Sequence, residues 1–263
     1  MHAVVLLKRV PDPELPQSAF SVDPETLRAE VGRTPHVLSS FDANALEVAL
    51  QLREALGSLR ISALSLGPAA AEEVLRKALA LTADDAWHVL GDDEDLDPGQ
   101  AGAVLAAAIR RLGLPDLVLA GRQSADWEAG QVGGVVAEEL GWPCLPFVSR
   151  LRPSSAGLEA LQPLEGGEAV YELALPAVVT VTNDAGNGLR PARIRDVLAA
   201  RARTLEVLEL SALAGGALGR GPARGLLGLS VPAGRARAEF LGGASGREQA
   251  LELARRLRQI GAV

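Results

Sequence analysis

The residues with the clearest chemical potential lie in one segment, GRQSADWEAGQVGG at positions 121–134, which follows the apolar run LVLA. Small residues at a turn that opens a helix let backbone N–H groups approach a ligand closely, and a phosphate is the usual ligand there. The segment lacks both the Gly-Lys-Ser/Thr ending of a P-loop and the GxGxxG spacing of a dinucleotide fingerprint. The residue pattern alone therefore leaves two interpretations open: a phosphate-binding helix entrance, or a turn whose small residues serve only packing.

The other side chains of this segment do not form an evident catalytic group. Asp126 and Glu128 could form a carboxylate pair for acid–base work or Mg²⁺, but no third partner is evident, which favours a cap or a solvated loop. Ser124 lacks a nucleophile elbow and an evident histidine partner. The acidic run at 91–97 lacks the ligand spacing of an EF-hand. Metal-ligand spacing is also missing among the histidines His2, His36 and His88. We therefore expect neither catalytic residues nor a metal site.

The elements that must position this segment follow from residues 1–142, where apolar runs rich in β-branched residues alternate with amphipathic helical patterns. Asp42 is the expected N-cap of the first helix, and Gly57 its expected end. The expected strands are 2–10, 60–68, 85–93 and 115–121, and the expected helices are 42–57, 69–83, 97–113 and 131–141. Such alternation predicts a mostly parallel α/β sheet with helices on both faces.

The loops that follow these strands are KRVPDP, SLGPA, LGDDED and GRQSADWEAG. In an open parallel sheet, ligands bind outside the carboxyl ends of the strands. We therefore expect several of these loops to share one crevice.

The pattern changes after Trp142. Residues 143–184 contain apolar runs separated by turn signals, which predicts antiparallel strands that extend or flank the sheet. Residues 210–243 are rich in Gly, Ala and Arg and have little periodicity, and a final helix follows, with Ser245 and Glu248 spaced as a capping box. A long stretch of this kind is unusual inside a domain. We therefore divide the chain into a main domain, 1–204, and a C-terminal arm, 205–263, that lies on another protein.

Composition and charge exclude several classes of protein. Thirteen arginines and six carboxylates give residues 186–263 a net charge of +7, so residues 1–185 must carry −14 for the chain to total −7. An acidic body argues against nucleic-acid binding, which needs a basic face. The single cysteine, Cys144, excludes a disulfide framework and a zinc ribbon. Apolar runs too short for a membrane span, and a start without signal-peptide features, lead us to expect a cytoplasmic protein.

Several stretches together resemble one family, the β subunits of electron transfer flavoproteins. The combination of GRQ, an aspartate and GQVG, then a helix ending in LGWP and later LPAVVTV, is shared by few families. The resembling stretches are 8–12, 39–50, 65–68, 117–143, 175–183 and 189–204. The resemblance implies a three-layer Rossmann-like fold related to adenine-nucleotide-binding proteins, and a larger α subunit that holds most of an FAD.

The resemblance also implies a site. AMP would lie in the crevice of this subunit, with backbone N–H groups of residues 130–132 on its phosphate. Phe41 occupies a position that approaches the flavin in relatives. The implied cofactor-binding residues are Leu6, Ser39, Ser40, Phe41, Asp42, Leu66, Gly121, Arg122, Gln123, Ser124, Asp126, Gly130, Gln131 and Val132. In bifurcating members of the family a second FAD replaces AMP in this crevice, and the loop resembles theirs too.

The resemblance finally implies partners. A recognition loop near 189–200 would dock on flavoprotein dehydrogenases, acyl-CoA dehydrogenases among them, through Ile194, with Arg193 and Arg195 beside it. Electrons would continue to a quinone oxidoreductase. Relatives often carry Asn-Pro where this chain has Ser39 and Ser40, which bears on ligand preference. The alternatives are a stand-alone nucleotide-binding stress protein of related fold, which does not need residues 205–263, and an adenylating enzyme, which needs a pyrophosphate loop that this segment does not show.

Overall fold

A seven-stranded sheet forms the centre of the protein. The structure, a computed structural model, describes residues 1–14, 20–32, 34–155, 157–217, 222, 225–231 and 238–262. In chain order the strands are β1 His2–Leu6, β2 Arg9–Pro11, β3 Ser21–Val22, β4 Ala29–Glu30, β5 His36–Leu38, β6 Arg60–Gly67, β7 Asp85–Leu90, β8 Leu117–Gly121, β9 Cys144–Val148, β10 Arg150–Ser154, β11 Gly157–Leu164, β12 Gly167–Leu173, β13 Ala177–Val181 and β14 Glu206–Glu209. The helices are α1 Ser40–Leu56, α2 Glu72–Ala80, α3 Pro98–Leu112, α4 Val132–Leu140, α5 Ile194–Arg201, α6 Leu210–Ala217 and α7 Gly246–Gln259.

The order across the central sheet is β14-β7-β6-β1-β8-β13-β9, and every neighbouring pair is parallel. Helices cover both faces of this sheet. Successive strand residues point to opposite faces, so alternate residues enter two separate hydrophobic cores. Ala3 and Val5 of β1 join the core under α1 and α2, whereas Val4 and Leu6 join the core under α3, α4 and α6. The three-layer parallel fold expected from the sequence is confirmed.

The antiparallel prediction for residues 143–184 holds only in part. Strands β10, β11 and β12 form an antiparallel sheet of their own, as expected. Strands β9 and β13 are instead parallel members of the central sheet, and β13 lies between β8 and β9. All five residues of β13 are buried, as in a strand covered on both faces. An apolar run of this kind fits a central parallel strand as well as an antiparallel one, so its pattern did not reveal its direction.

The predicted first and last residues of the helices were partly wrong. Helix α1 ends at Gly57, which has a φ of +72° as a left-handed C-cap should. Its N-cap is Ser39, however, and not Asp42, whose carboxylate lies inside the first turn and serves two strand ends described below. The predicted first strand, 2–10, is divided into β1 and β2, and β2 leaves the sheet to pair with β5.

The chain divides into two units, Met1–Leu229 and Ser230–Val263. The boundary predicted at residue 204 falls before β14, which adds to the central sheet by pairing with β7. Parts of the predicted arm, residues 218–221, 223–224, 232–237 and 263, lie outside the described residues.

The second unit contains the predicted final helix, α7. The Ser245 hydroxyl caps it by accepting the N–H of Glu248 at 3.3 Å, and the Glu248 carboxylate accepts the N–H of Ala244 at 2.8 Å. No side chain of this helix is buried. Leu251 in the helix is 64% exposed, and Ile260, its C-cap, is 75% exposed.

Candidate functional site

One buried carboxylate ties together the ends of two strands and the start of α1. Asp42 accepts the backbone N–H of Lys8, just beyond β1, at 2.8 Å and the backbone N–H of Gly121, the last residue of β8, at 3.0 Å. Gly121 has to be small, because a Cβ there would lie 2.5 Å from Asp42 Oδ1 and 2.7 Å from Phe41 Cβ. The structure thus fixes the loops after β1 and β8 beside the first turn of α1.

Asp42 is unusual in its protonation. Burial raises its pKa to about 7, against the opposing effects of the two N–H donors and the Lys8 charge. Because both of its oxygens already accept backbone donors, its role is to hold the strand ends in place.

The side chain of Lys8 connects this frame to the loop after β8. Its ammonium lies 2.6 Å from a carboxylate oxygen of Asp126, and both side chains are partly exposed. Burial acts to raise the pKa of Asp126, but the charge of Lys8 and hydrogen bonds from Lys8 and Ser124 outweigh it and hold that pKa below its usual value. The carboxylate predicted to hold the loop is therefore ionised and paired. Its partner Lys8 was not among the expected site residues.

The loop itself turns twice through the left-handed region before α4. Glu128 has a φ of +51° and Gly130 a φ of +64°. Helix α4 then begins at Val132, and the side chain of its N-cap, Gln131, makes no capping hydrogen bond. The N-terminal end of α4 therefore offers backbone N–H groups that no N-cap side chain satisfies.

Packing explains one of the glycines in this segment. A Cβ on Gly133 would lie 2.5 Å from Thr180 Cγ2, so close contact between α4 and β13 requires glycine there. A Cβ on Gly134 would meet nothing within 4 Å. The packing interpretation is thus right for Gly133, whereas the turn at Gly130 is a matter of backbone conformation.

An arginine lies between two aromatic rings at the same edge of the sheet. The Cζ atom of Arg122 is 5.1 Å from the Phe41 ring centre and 5.9 Å from that of Phe147. Its Nε atom is buried without a hydrogen-bond partner. Phe41 is only 7% exposed, whereas Phe147 is 49% exposed and has a φ of +58°. The sequence did not point to Phe147, because the irregular register of β9 that places it here depends on pairing with β13.

Two buried hydroxyls in this region also lack partners. Ser39 Oγ, at the start of α1, and Ser65 Oγ, near the end of β6, make no hydrogen bond. Such groups are rare in proteins unless a ligand, water or ion satisfies them. Ser39 was an expected site residue, and Ser65 adjoins another, Leu66.

The remaining expected crevice residues fall at the same strand ends. Leu6 and Leu66 are the buried last residue of β1 and next-to-last residue of β6, and Ser40 is the exposed first residue of α1. Gln123 lies in the loop after β8 and is partly buried. The structure therefore brings the fourteen expected crevice residues to the carboxyl ends of β1, β6 and β8 and to the starts of α1 and α4.

The expected partner-binding residues form a separate group at the start of α5. Arg193 is the N-cap of that helix, and Ile194, its first residue, is 82% exposed. The guanidinium of Arg195 lies 3.1 Å from the carboxylate of its neighbour Asp196. An exposed isoleucine with two arginines beside it is compatible with the predicted docking role, which stays a prediction.

Comparison with known proteins shows where this geometry belongs. The family model described as "Electron transfer flavoprotein domain" matches residues 29–213, which is more than half of the chain. The chain belongs to the electron transfer flavoprotein family. Similar proteins include the "Electron transfer flavoprotein subunit beta" of Megasphaera elsdenii, 33% identical over 224 residues, which cover 81% of this chain and 80% of the relative.

Two further relatives of this electron transfer flavoprotein chain carry other names. "Protein FixA" of Bradyrhizobium diazoefficiens is 35% identical over 217 residues, which cover 78% of this chain and 73% of the relative. The "Caffeyl-CoA reductase-Etf complex subunit CarD" of Acetobacterium woodii is 33% identical over 186 residues, which cover 70% and 69% of the two chains. The resemblance drawn from the sequence to electron transfer flavoprotein β subunits is confirmed.

Two kinds of feature are absent from the part of the chain that the structure describes. Among its described residues, no group of three or more His, Cys, Asp or Glu side chains is placed to hold a metal ion. In the same part of the chain, no helix combines the length and the apolar character that a bilayer crossing requires.

Proposed function

We propose that this chain is the β subunit of a heterodimeric electron carrier and that its crevice binds AMP. Membership of the electron transfer flavoprotein family and the similarity to proteins named "subunit beta" support the heterodimer. In this proposal a larger α subunit holds most of an FAD, which supplies the redox chemistry when bound, and this chain contributes binding and positioning without catalytic side chains of its own.

One observation carries the AMP proposal: two buried polar atoms without a hydrogen-bond partner lie at the same edge of the sheet as a helix start that has no side-chain cap. The N-terminal end of α4 has no side-chain cap, the Nε of Arg122 is buried without a partner, and the same is true of Ser39 Oγ. A phosphate suits the backbone donors and the positive end of the helix dipole. The hydroxyl and the guanidinium suit the oxygen and nitrogen acceptors of a ribose and an adenine. The chemistry of this donor set therefore fits an adenylate.

Docking of electron donors is proposed for the start of α5. Ile194 would enter an apolar pocket on a flavoprotein dehydrogenase, such as an acyl-CoA dehydrogenase, while Arg193 and Arg195 would steer the encounter. The carrier would then pass its electrons to a quinone oxidoreductase. The exposed apolar side chains of α7 support a further proposal, that the C-terminal residues contact the α subunit. The cytoplasmic location expected from the sequence stays a prediction.

A second candidate places another FAD in the crevice instead of AMP. The similarity to a subunit of a caffeyl-CoA reductase–Etf complex favours it, as does the half-exposed ring of Phe147 beside Arg122, which is suited to contact a planar ring system. FAD contains the same adenylate group as AMP, so the backbone donors at the start of α4 would suit either ligand and do not distinguish the two candidates. The number of flavins bound per heterodimer distinguishes them.

The test is co-expression of the full chain with an α subunit, followed by mass spectrometry of the small molecules released on denaturation. We expect a 1:1 protein complex that releases one AMP and one FAD. Two FAD and no AMP would establish the second candidate, while release of ATP alone or failure to bind any α subunit would refute both.

A matched pair of variants localises the AMP. Arg122→Gln removes a cation from the crevice and should lower the AMP retained per heterodimer while the FAD content stays the same. Arg111→Gln removes an exposed cation near the far end of α3 and should change neither. Equal AMP retention in the two variants would refute the assignment of Arg122.

A further inference from the structure

Helix α1 carries a polar face in addition to its core-facing residues. Asn44, Glu47, Gln51 and Glu54 follow one another at intervals of three, four and three residues, so they lie along one side of the helix. We call these four residues the α1 polar face. All four contact the chain segment 184–190, which leads into α5.

The contacts are spread along both the helix and the segment. The N–H of Asp184 donates to Asn44 Oδ1 at 3.3 Å, and Gln51 Nε2 donates to the carbonyl oxygen of Gly186 at 2.9 Å. Arg190 is held most firmly, because Glu47 accepts both its backbone N–H, at 3.1 Å, and its Nη2, at 2.7 Å. Glu54 also accepts from the guanidinium of Arg190.

Burial distinguishes the two carboxylates that share Arg190. The side chain of Glu47 is 6% exposed, whereas that of Glu54 is 62% exposed. The hydrogen bonds that Arg190 donates, to Glu47 first and Glu54 second, raise its pKa, so the arginine stays cationic. The pair of Glu47 and Arg190 is only half-buried, because the Arg190 side chain is 37% exposed. Such a pair contributes little net stability compared with apolar residues, and the best-attested use of a buried charge pair is to specify one arrangement. The forked guanidinium adds direction to that arrangement.

The arrangement that is specified is the approach of the chain to the docking residues. Arg190 precedes Ile194 by only four residues, and neither Ile194 nor Leu198 is held by burial, because they are 82% and 58% exposed. The opposite end of α5 is attached elsewhere, since Arg76 of α2 donates to the carbonyl oxygen of Ala200 at 2.7 Å. The start of α5 is therefore positioned by the contact between Glu47 and Arg190 together with the packing of Leu189 and Ala192 against the core.

We propose that Glu47 is a positioning residue for electron-donor docking, acting through Arg190 on the exposed start of α5. The inference rests on the docking function proposed above for Ile194. With Arg190 paired, Ile194 is presented in one orientation, and association loses less conformational freedom than it would with a loose segment. Without the pair, the docking residues remain on the surface but their orientation varies.

The test uses the full heterodimer and steady-state electron transfer from a flavoprotein dehydrogenase that the wild-type carrier accepts. Glu47→Gln keeps the shape but turns an amide N–H toward the donors of Arg190. We expect the KM of the dehydrogenase for the carrier to rise about tenfold, because the docking residues are no longer held in one orientation before association. The kcat and the FAD content should stay unchanged. Hydrogen exchange of residues 189–198 should also become faster in the free heterodimer.

Glu54→Gln is the matched control, because it is the same substitution on the same helix and concerns the same arginine. The ion pair between Glu54 and Arg190 is exposed on the Glu54 side and should contribute little to holding Arg190. We therefore expect less than about a threefold change in KM. Arg190→Lys keeps the charge without the fork and should raise KM by an intermediate factor. This variant decides the question if Glu47→Gln fails to assemble.

The outcomes separate the two proposals. If Ile194→Ala raises KM and Glu47→Gln lowers only the melting temperature, Glu47 is structural and the inference is overturned while docking at Ile194 stands. If Ile194→Ala leaves KM unchanged, docking at this segment is refuted and the inference with it. A parallel rise of KM in Ile194→Ala, Glu47→Gln and Arg190→Lys, but not in Glu54→Gln, supports the inference.

Discussion

Replacing Gly121 by alanine is the sharpest test of the frame that holds the crevice. The added Cβ would lie 2.5 Å from Asp42 Oδ1, 2.7 Å from Phe41 Cβ and 2.8 Å from the backbone nitrogen of Asp42. Two of these atoms belong to side chains that the core holds in place, and the third belongs to the backbone of α1, so relief requires the start of the helix to move away from β8. That movement would weaken the hydrogen bond from the Gly121 N–H to Asp42.

The expected cost follows from these two effects. Forcing an extra carbon into a packed site costs about 1–3 kcal/mol, and weakening a hydrogen bond to a buried carboxyl group costs about 1–3 kcal/mol. We therefore expect Gly121→Ala to lower the free energy of unfolding by about 2–6 kcal/mol. Urea unfolding of the full chain, followed by far-UV circular dichroism, measures this, and AMP retention in the heterodimer should fall in parallel.

Gly134→Ala is the control for this variant. A Cβ at Gly134 meets nothing within 4 Å, and the residue lies inside α4, where alanine is favoured over glycine by about 0.5–1 kcal/mol. The control should therefore be slightly more stable than the wild type. Equal unfolding midpoints for Gly121→Ala and Gly134→Ala would refute the reasoning, because the frame would then accommodate a side chain that the distances exclude.

Three further predictions concern neighbouring contacts. Burial raises the pKa of Asp42 to about 7, so the folded state gives up this proton at higher pH than the unfolded state. The free energy of unfolding should therefore fall by up to about 4 kcal/mol as the pH rises from about 4 through 7. Asp42→Asn should abolish this slope in urea titrations at several pH values, and an unchanged slope would assign it to another group. Lys8→Met removes the ion pair with Asp126, and because the pair is partly exposed, the free energy of unfolding should change by less than about 1 kcal/mol. The loop after β8 is released, however, so the AMP retained by the heterodimer should drop. Full AMP retention would show that the pair does not order the loop. Gly133→Ala places a Cβ 2.5 Å from Thr180 Cγ2 and should lower the free energy of unfolding by about 1–3 kcal/mol. A melting temperature at or above that of the wild type would contradict the tight packing of α4 on β13.

The sequence predicted the first half of the fold well because the signals there are local. The helices α1, α2, α3 and α4 each show an apolar stripe, and a terminating glycine follows three of them, at Gly57, Gly113 and Gly141. Each signal lies within the element that it describes. The alternation of these helices with strands then leaves a parallel sheet as the simplest solution.

The directions of β9 and β13 could not be obtained in this way. A run such as AVVTV at 177–181 is equally apolar in either direction, and its partners, β8 and β9, are distant in sequence. Strand β14 was missed for a related reason, since EVLE at 206–209 is short and depends on pairing with β7. Long-range pairing decides both features, and a single sequence carries little record of it.

The candidate site shows the same division. The loop 121–132 was found because small residues at the start of a helix are a local pattern. Asp42 was assigned as an N-cap because its spacing suits one, but its carboxylate instead accepts N–H groups from Lys8 and Gly121, which are distant in sequence. Phe147 and Ser65 carry no local signal, since only the fold brings them to this edge. Resemblance to a family supplied residues that spacing alone did not.

The bare surface of α7 has a consequence for how cells handle this protein. A fourteen-residue helix that buries no side chain has little to hold it in shape, because isolated helices of that length are marginal in water. If the companion subunit covers it, copies synthesised in excess keep an accessible stretch that proteases cut readily. Degradation of these orphan copies would match the abundance of the two polypeptides without any dedicated regulator.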